Sequence, residues 1–260
     1  MKTAFVELCQ YRELLWVWVV RDIRVRYKQS LLGAAWAIIQ PLALMAVFTV
    51  IFSIFAGVPT DGVPYPIFSY TALLPWTLLS TSITHGSGAL VGNIGLVKKV
   101  YFPREILPFA AIGASFVDFA IASLVYLGLM VFYRVPFGVT LLAVPILLAV
   151  QIVLAAGVIL ITSAANVFYR DVRFVVPLAV QLWMYATPII YPLSAVPERF
   201  RIVYMLNPMA GLIESYRAVA LHGQWPNWGY VALSAAVSVA VFVLGYVYFK
   251  RVEWEFADII

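Results

Sequence analysis

Four cations crowd the stretch Arg21-Asp22-Ile23-Arg24-Val25-Arg26-Tyr27-Lys28-Gln29, and the chemistry of such a cluster is anion capture. Each phosphate offers several strong acceptor oxygens, and arginine meets them bidentately. Arg21, Arg24, Arg26 and Lys28 can therefore grip a diphosphate at the level of lipid headgroups. The plainer use of the cluster is to set topology and anchor the chain to lipid. On a helix Arg21, Arg24 and Lys28 share one face at i, i+3 and i+7, leaving Arg26 to the side. Arg170-Asp171-Val172-Arg173 echoes the beginning of the cluster, so Arg170 and Arg173 are the next candidates for the same task, although the echo is too short to establish a repeat.

The segment 93–108 carries a different chemistry. It combines an amphipathic stretch, the paired Lys98 and Lys99, two aromatics expected to be exposed, Tyr101 and Phe102, a stop at Pro103, and the charged Arg104 and Glu105. Aromatic rings beside arginine are what a docking knob offers a protein pocket. A basic loop lying on anionic lipid is the alternative. Asp118 is the one carboxylate inside an apolar run, where an ionised carboxylate costs at least ~2.5 kcal/mol. It must face a polar interior or a partner, and a structural hydrogen bond explains it more simply than a proton relay. Trp36, Phe48, Phe52, Trp76, Trp183 and Tyr185 fall within the apolar runs; with Gln40 and Asp118 they are the candidates to line a conduit, since flat apolar faces suit the C–H faces of sugar rings. Packing alone is the competing use of those rings.

Other chemistry is missing. There is no Gly-x-x-x-x-Gly-Lys-Ser/Thr phosphate loop, no His-Glu-x-x-His and no serine nucleophile elbow, so an enzyme site is not expected. His85 and His222 fall on opposite sides of the expected bilayer and cannot share a metal; Cys9 has no second cysteine to pair with and reads as a small apolar residue. Lys2, Glu7, Arg12 and Glu13 precede the first apolar run and no small-residue cleavage site follows, so the chain is expected to keep its N-terminus.

The elements that must position these residues are membrane helices. Of 260 residues 64% are hydrophobic and 11% charged, against roughly 25% charged in soluble domains. Long windows free of Asp, Glu, Lys and Arg each accommodate the ~20 residues that cross a hydrocarbon core. The expected spans are 32–55, 67–88, 107–132, 141–164, 174–191 and 230–249, six in all. An even number puts both termini on one side. With the termini cytoplasmic, 13 of the 17 Lys and Arg lie inside, which the positive-inside rule favours. The same bias accounts for the net charge of +5 without nucleic acid as a partner.

Residues 3–20 predict an amphipathic helix in the cytoplasmic interface, with Tyr11, Leu15 and Trp18 on its apolar face and Trp16 and Trp18 as headgroup anchors. Between the fifth and sixth spans, 198–222 holds apolar pieces too short to cross, broken at Asn207-Pro208. Two short re-entrant helices in the outer leaflet fit it better than a seventh span, packed over a conduit because irregular backbone at that depth must be covered. The expected fold is thus an all-α integral membrane protein, with an interface helix and basic segment over 1–30 and one six-span permease domain over 31–260.

These residues resemble a known family. Arg21 through Gly33, followed by Trp36 and Gln40-Pro41-Leu42, is similar to the opening of type-2 ABC permease subunits that export O-antigen, capsular polysaccharide or teichoic acid. Lys98 through Pro108 resembles their coupling segment, and Phe168-Tyr169-Arg170-Asp171-Val172, Ala186-Thr187-Pro188-Ile189-Ile190-Tyr191-Pro192 and Leu206-Asn207-Pro208-Met209 resemble their later landmarks. The resemblance implies a homodimer in the bacterial inner membrane, docked to two copies of a cytoplasmic subunit that holds ATP and Mg, no cofactor in this chain, and a polyprenyl-diphosphate-linked glycan as cargo. It further implies a channel at the dimer interface. An ABC permease for drugs or small lipids shares this architecture and is the main rival. An ion-coupled secondary transporter would show inverted repeats and several intramembrane charges.

Overall fold

A computed structural model describes residues 11–100 and 102–256, and these are helical with no strand among them. Lys2, Cys9, the first turns of the expected interface helix and Tyr101 lie outside the described residues. Helix α1 is Arg12–Tyr27. A turn with Gln29 at φ 62° and Gly33 at φ 51° redirects the chain. A 3-10 turn, Gly33–Ala35, then leads into α2, Trp36–Phe48, which a π-helical stretch, Thr49–Phe55, prolongs. There follow α3, Tyr65–Ser87, the short α4, Ile94–Lys99, and α5, Ile106–Phe132. After the 3-10 turn Val139–Ala143 come α6, Val144–Phe168, and α7, Val172–Tyr185. The last three are α8, Glu198–Met205, α9, Pro208–Ala220, and α10, Trp228–Val252.

Four helical stretches are long and apolar enough to cross a membrane: Gly33–Phe55, Ile106–Phe132, Val139–Phe168 and Trp228–Glu255. Each coincides with an expected span. Helix α3 has 23 residues but is richer in hydroxyls, and most of it is buried within the bundle. Its polar side chains fold back on their own helix: Thr71, Thr77, Ser80, Thr81 and Ser87 all donate to carbonyls three or four residues earlier. A helix buried among others does not need a lipid-facing surface, so low hydropathy is no obstacle there.

The stretch expected as a fifth span, 174–191, differs: its helix ends at Tyr185 after 14 residues. Pro188 disfavours helical geometry at Thr187, and the released backbone turns inward. Residues 187–190 are buried, in a bend that leads to the 3-10 turn Leu193–Ala195.

Helix ends sort into two groups. One cluster joins Trp18 and Val19 of α1 and Leu90 just after α3 to Phe102, the start of α5 at Ile106 and Leu107, the end of α6 at Ala164 and Val167, and Phe249 of α10 with Phe256 just beyond it. The larger cluster holds the rest of α3, the far half of α5, the start of α6, Ile189, Ile190 and α9. Helices α6 and α10 touch backbone to backbone, since a Cβ on Gly245 would come within 2.4 Å of the Gly157 carbonyl oxygen. Small residues permit this approach where no hydrophobic force pulls lipid-solvated helices together.

Candidate functional site

The α1 face that carries Tyr11, Leu15 and Trp18 packs inward as the amphipathic pattern expects. Trp18 is nevertheless not a headgroup anchor: it is 8% exposed, buried beside Val19, whereas Trp16 is 65% exposed. The reason is that α1 lies along α5, with Val19 over Gly113, where a Cβ would meet the valine at 2.5 Å. This contact sets where the basic residues go.

At the end of α1, Arg26 forms an ion pair with Asp118 of α5, and the Tyr27 hydroxyl donates to the other carboxylate oxygen at 2.5 Å. Asp118 thereby has the polar partner its position demanded. Burial, reinforced by the bond to Asp118, raises the Tyr27 phenol to about 12, so it stays a donor at neutral pH. Around this pair lies a cavity of about 270 Å³. Trp36 and Gln40 of α2, Thr77, Thr81 and His85 of α3, and Ser115 and Phe119 of α5 line it together with Arg26, Tyr27 and Asp118. The His85 Nδ1 sits 2.8 Å from the Thr81 carbonyl, so the neutral ring keeps Nε2 as an acceptor. The Ser115 hydroxyl is buried with no hydrogen-bond partner among the described residues.

A second, open groove of about 840 Å³ runs along α1, lined by Trp16, Arg21, Arg24, Tyr27 and Lys28 among others. Arg24 and Lys28 are exposed in it. Arg21 is more constrained, because it donates to Asn93 Oδ1 at 2.7 Å and stacks 4.2 Å from the Trp18 ring centre. Asp22, on the other side of α1, faces a third cavity shared with Arg26, His85 and Asn93; burial raises its carboxyl, against the pull of Arg21 and Arg26. Tyr27 borders both the basic groove and the polar cavity. Arg170 and Arg173 line neither; both are exposed at the α6–α7 turn, with Arg173 stacked on Phe174 at 4.6 Å.

Of the conduit candidates, Trp36, Gln40 and Asp118 come together in the polar cavity. The others scatter. Phe48 meets Phe52 edge-on at 5.6 Å, Trp76 meets Trp183 edge-on at 5.9 Å, and Tyr185 is exposed at the end of α7. Trp183 also donates its indole N–H to Asn207 Oδ1 at 2.9 Å.

The segment after α4 is only partly a projecting knob. Lys98 and Lys99 are exposed. Phe102, expected to be exposed, is 5% exposed, because the chain brings its ring into the apolar cluster that holds Trp18, Leu107, Phe249 and Phe256. Glu105 is fully buried and its carboxylate lies 3.0 Å from Lys250 Nζ; Arg104 donates to the Glu253 carbonyl. The segment is thus bolted to the end of α10.

Two residues, Arg217 and Asn207, organise the opposite end. Arg217, one of the four cations that the topology leaves on the outer side, is 2% exposed: it stacks 3.7 Å from the Phe68 ring centre, and its terminal nitrogens donate to the carbonyls of Ile189 and Tyr191. Tyr65 donates to the carbonyl between them, that of Ile190, at 3.0 Å. Asn207 caps α9 by accepting from Met209 N and donates to Ala186 O and Thr187 Oγ1. Together they satisfy the broken backbone after α7, as buried carbonyls require. The available signal was Arg217 amid the apolar residues of a helix begun by Asn207-Pro208.

Residues 13–221 match the family model described as ABC-2 type transporter. The O-antigen export system permease protein RfbA of Myxococcus xanthus is 31% identical over 97% of both chains. The protein of the same name from Klebsiella pneumoniae is 29% identical over 95% of both. The polysialic acid transport protein KpsM of Escherichia coli is 24% identical over 85% of this chain and 88% of its own length. With a family match across most of its length and end-to-end similarity to such permeases, this helical chain with its basic α1 belongs to the ABC-2 type transporter family.

Proposed function

We propose that the chain is the membrane permease of an ATP-driven exporter that carries lipid-linked polysaccharide, such as O-antigen, capsule or teichoic acid, across the bacterial cytoplasmic membrane. The observation that carries this reading is the nearly full-length similarity to proteins named for O-antigen export and polysialic acid transport. The charge distribution supports an orientation with both termini cytoplasmic, with α3 and the short α7 completing six crossings and α8 and α9 re-entering from the outer side. Two copies form the channel, and each docks a separate ATP- and Mg-binding subunit.

The chain's own residues divide the work. The exposed Lys98 and Lys99 and the segment through Glu105 receive the ATPase, and the Glu105–Lys250 pair passes its motion into α10. Phe102 and Val97 share a cluster with Trp18 and Val19, so the same push reaches α1. Arg21, Arg24 and Lys28 hold the cargo's diphosphate at headgroup level while the glycan threads inward, because phosphate is costly to desolvate in hydrocarbon. Deleting the gene in its host is expected to strip the surface polysaccharide and to accumulate the lipid-linked polymer inside the cell. Unchanged surface polysaccharide, with loss of efflux of a drug or small lipid instead, would overturn this reading.

A further inference from the structure

We propose that the cavity between α1, α2, α3 and α5 is a sugar-binding subsite that takes the first pyranose ring attached to the cargo's diphosphate. The proposal rests on the exporter reading given above and adds to it a specificity-determining site. Charge separates this cavity from the groove beside it. Arg26 is neutralised by Asp118, so the cavity has no spare cation for a phosphate, and the carboxylate would repel one. A guanidinium beside a carboxylate instead sets donors next to acceptors, which is what neighbouring hydroxyls of a sugar ask for.

The rest of the lining has the same character. The Gln40 amide offers both a donor and an acceptor and has no hydrogen-bond partner among the described residues. Ser115 lines the same wall, and its buried hydroxyl has no hydrogen-bond partner among the described residues, whereas buried hydroxyls are ordinarily satisfied; a small rotation would turn it to a ligand hydroxyl. Trp36 and Phe119 supply apolar faces for the C–H side of a ring. At about 270 Å³ the space falls just below the range of ligand pockets, which runs from roughly 300 to 1,000 Å³. It suits one ring and not a polymer.

Position completes the argument. Tyr27 forms part of both the cavity wall and the groove that exposes Arg24 and Lys28. A diphosphate held on those cations places the attached ring at the cavity's edge. Trp36, 49% exposed, and the exposed Gln40 leave that edge open on α2.

The test uses the complete transporter, permease with its ATPase subunit, in nanodiscs. The probes are undecaprenyl diphosphate and the same lipid bearing one hexose or one 2-acetamidohexose. Asp118→Asn is the obvious variant but unpairs Arg26 and risks the fold, so Gln40→Ala and Ser115→Ala, which remove no side-chain hydrogen bond among the described residues, carry the test. Each is expected to weaken binding of the preferred sugar-bearing probe about five- to tenfold, the worth of one hydrogen bond, and to leave binding of the sugar-free lipid within about twofold. Equal losses for both probes, or no loss for either, would overturn the subsite while leaving the exporter reading standing. A parent transporter that binds none of the probes would overturn the diphosphate-glycan reading and the subsite with it.

Discussion

Lys250 Nζ lies 3.0 Å from the carboxylate of Glu105, a residue with no solvent exposure, and so ties the segment before α5 to the end of α10. Removing one partner of a buried pair leaves an uncompensated charge, whereas replacing both can be neutral. Lys250→Met is therefore expected to destabilise the permease by about 3 kcal/mol, and the double variant Glu105→Leu/Lys250→Met to recover part of that loss, since Glu253, 2.9 Å from the same ammonium, still lacks its partner. Thermal unfolding in detergent measures both; equal stability of the single and double variants would refute the pairing.

Phe102 is a buried ring, so Phe102→Ala is expected to act on stability before it acts on docking. Truncating a buried phenylalanine costs about 3–5 kcal/mol. The variant should lower the unfolding temperature of the permease alone, and Phe102→Leu should restore much of it. A variant of parental stability that has lost only its ATPase partner would return Phe102 to the role of an exposed knob.

Arg217 satisfies two carbonyls in the bend after α7. Arg217→Lys keeps the charge but has no planar fork to reach both, and each buried carbonyl left unpaired costs about 1–3 kcal/mol. Loss of folded protein is expected for Arg217→Ala, with partial retention for Arg217→Lys. Fluorescence-detected size exclusion reports the folded fraction.

Neutralising the groove tests the diphosphate reading. Changing Arg21, Arg24 and Lys28 together to Gln is expected to abolish export while assembly with the ATPase survives. Cysteine accessibility must accompany it, because three fewer inside cations also weaken the orientation of α2. Correct orientation with export at the parent rate would reduce these residues to anchors.

No phosphate loop occurs in the sequence, so purified permease is expected to show no ATP hydrolysis until its partner is added. A phosphate-release assay on the separated and reconstituted subunits decides this. Hydrolysis by the permease alone would end the reading of the chain as a transport subunit.

The sequence alone determined the apolar helices Gly33–Phe55, Ile106–Phe132, Val139–Phe168 and Trp228–Glu255, to within a few residues. It did so because partition into hydrocarbon is a local property, summed over the ~20 residues that cross it. The break at Asn207-Pro208 was legible because proline ends a helix through its own backbone. Which charges are free was not legible. Arg26 and Lys28 look alike in sequence, yet one is held by Asp118, 92 positions away, and the other stands open in the groove. Phe102 looked exposed until the cluster with Trp18, Leu107, Phe249 and Phe256 took it in, and Arg217 looked like an outer-side cation until Phe68 and the carbonyls of Ile189 and Tyr191 enclosed it. The free energy of a charge or a ring depends on what desolvates it and what pairs with it. Those neighbours come from distant parts of the chain, so only the tertiary structure decided where the polar cavity lies and which residues it unites.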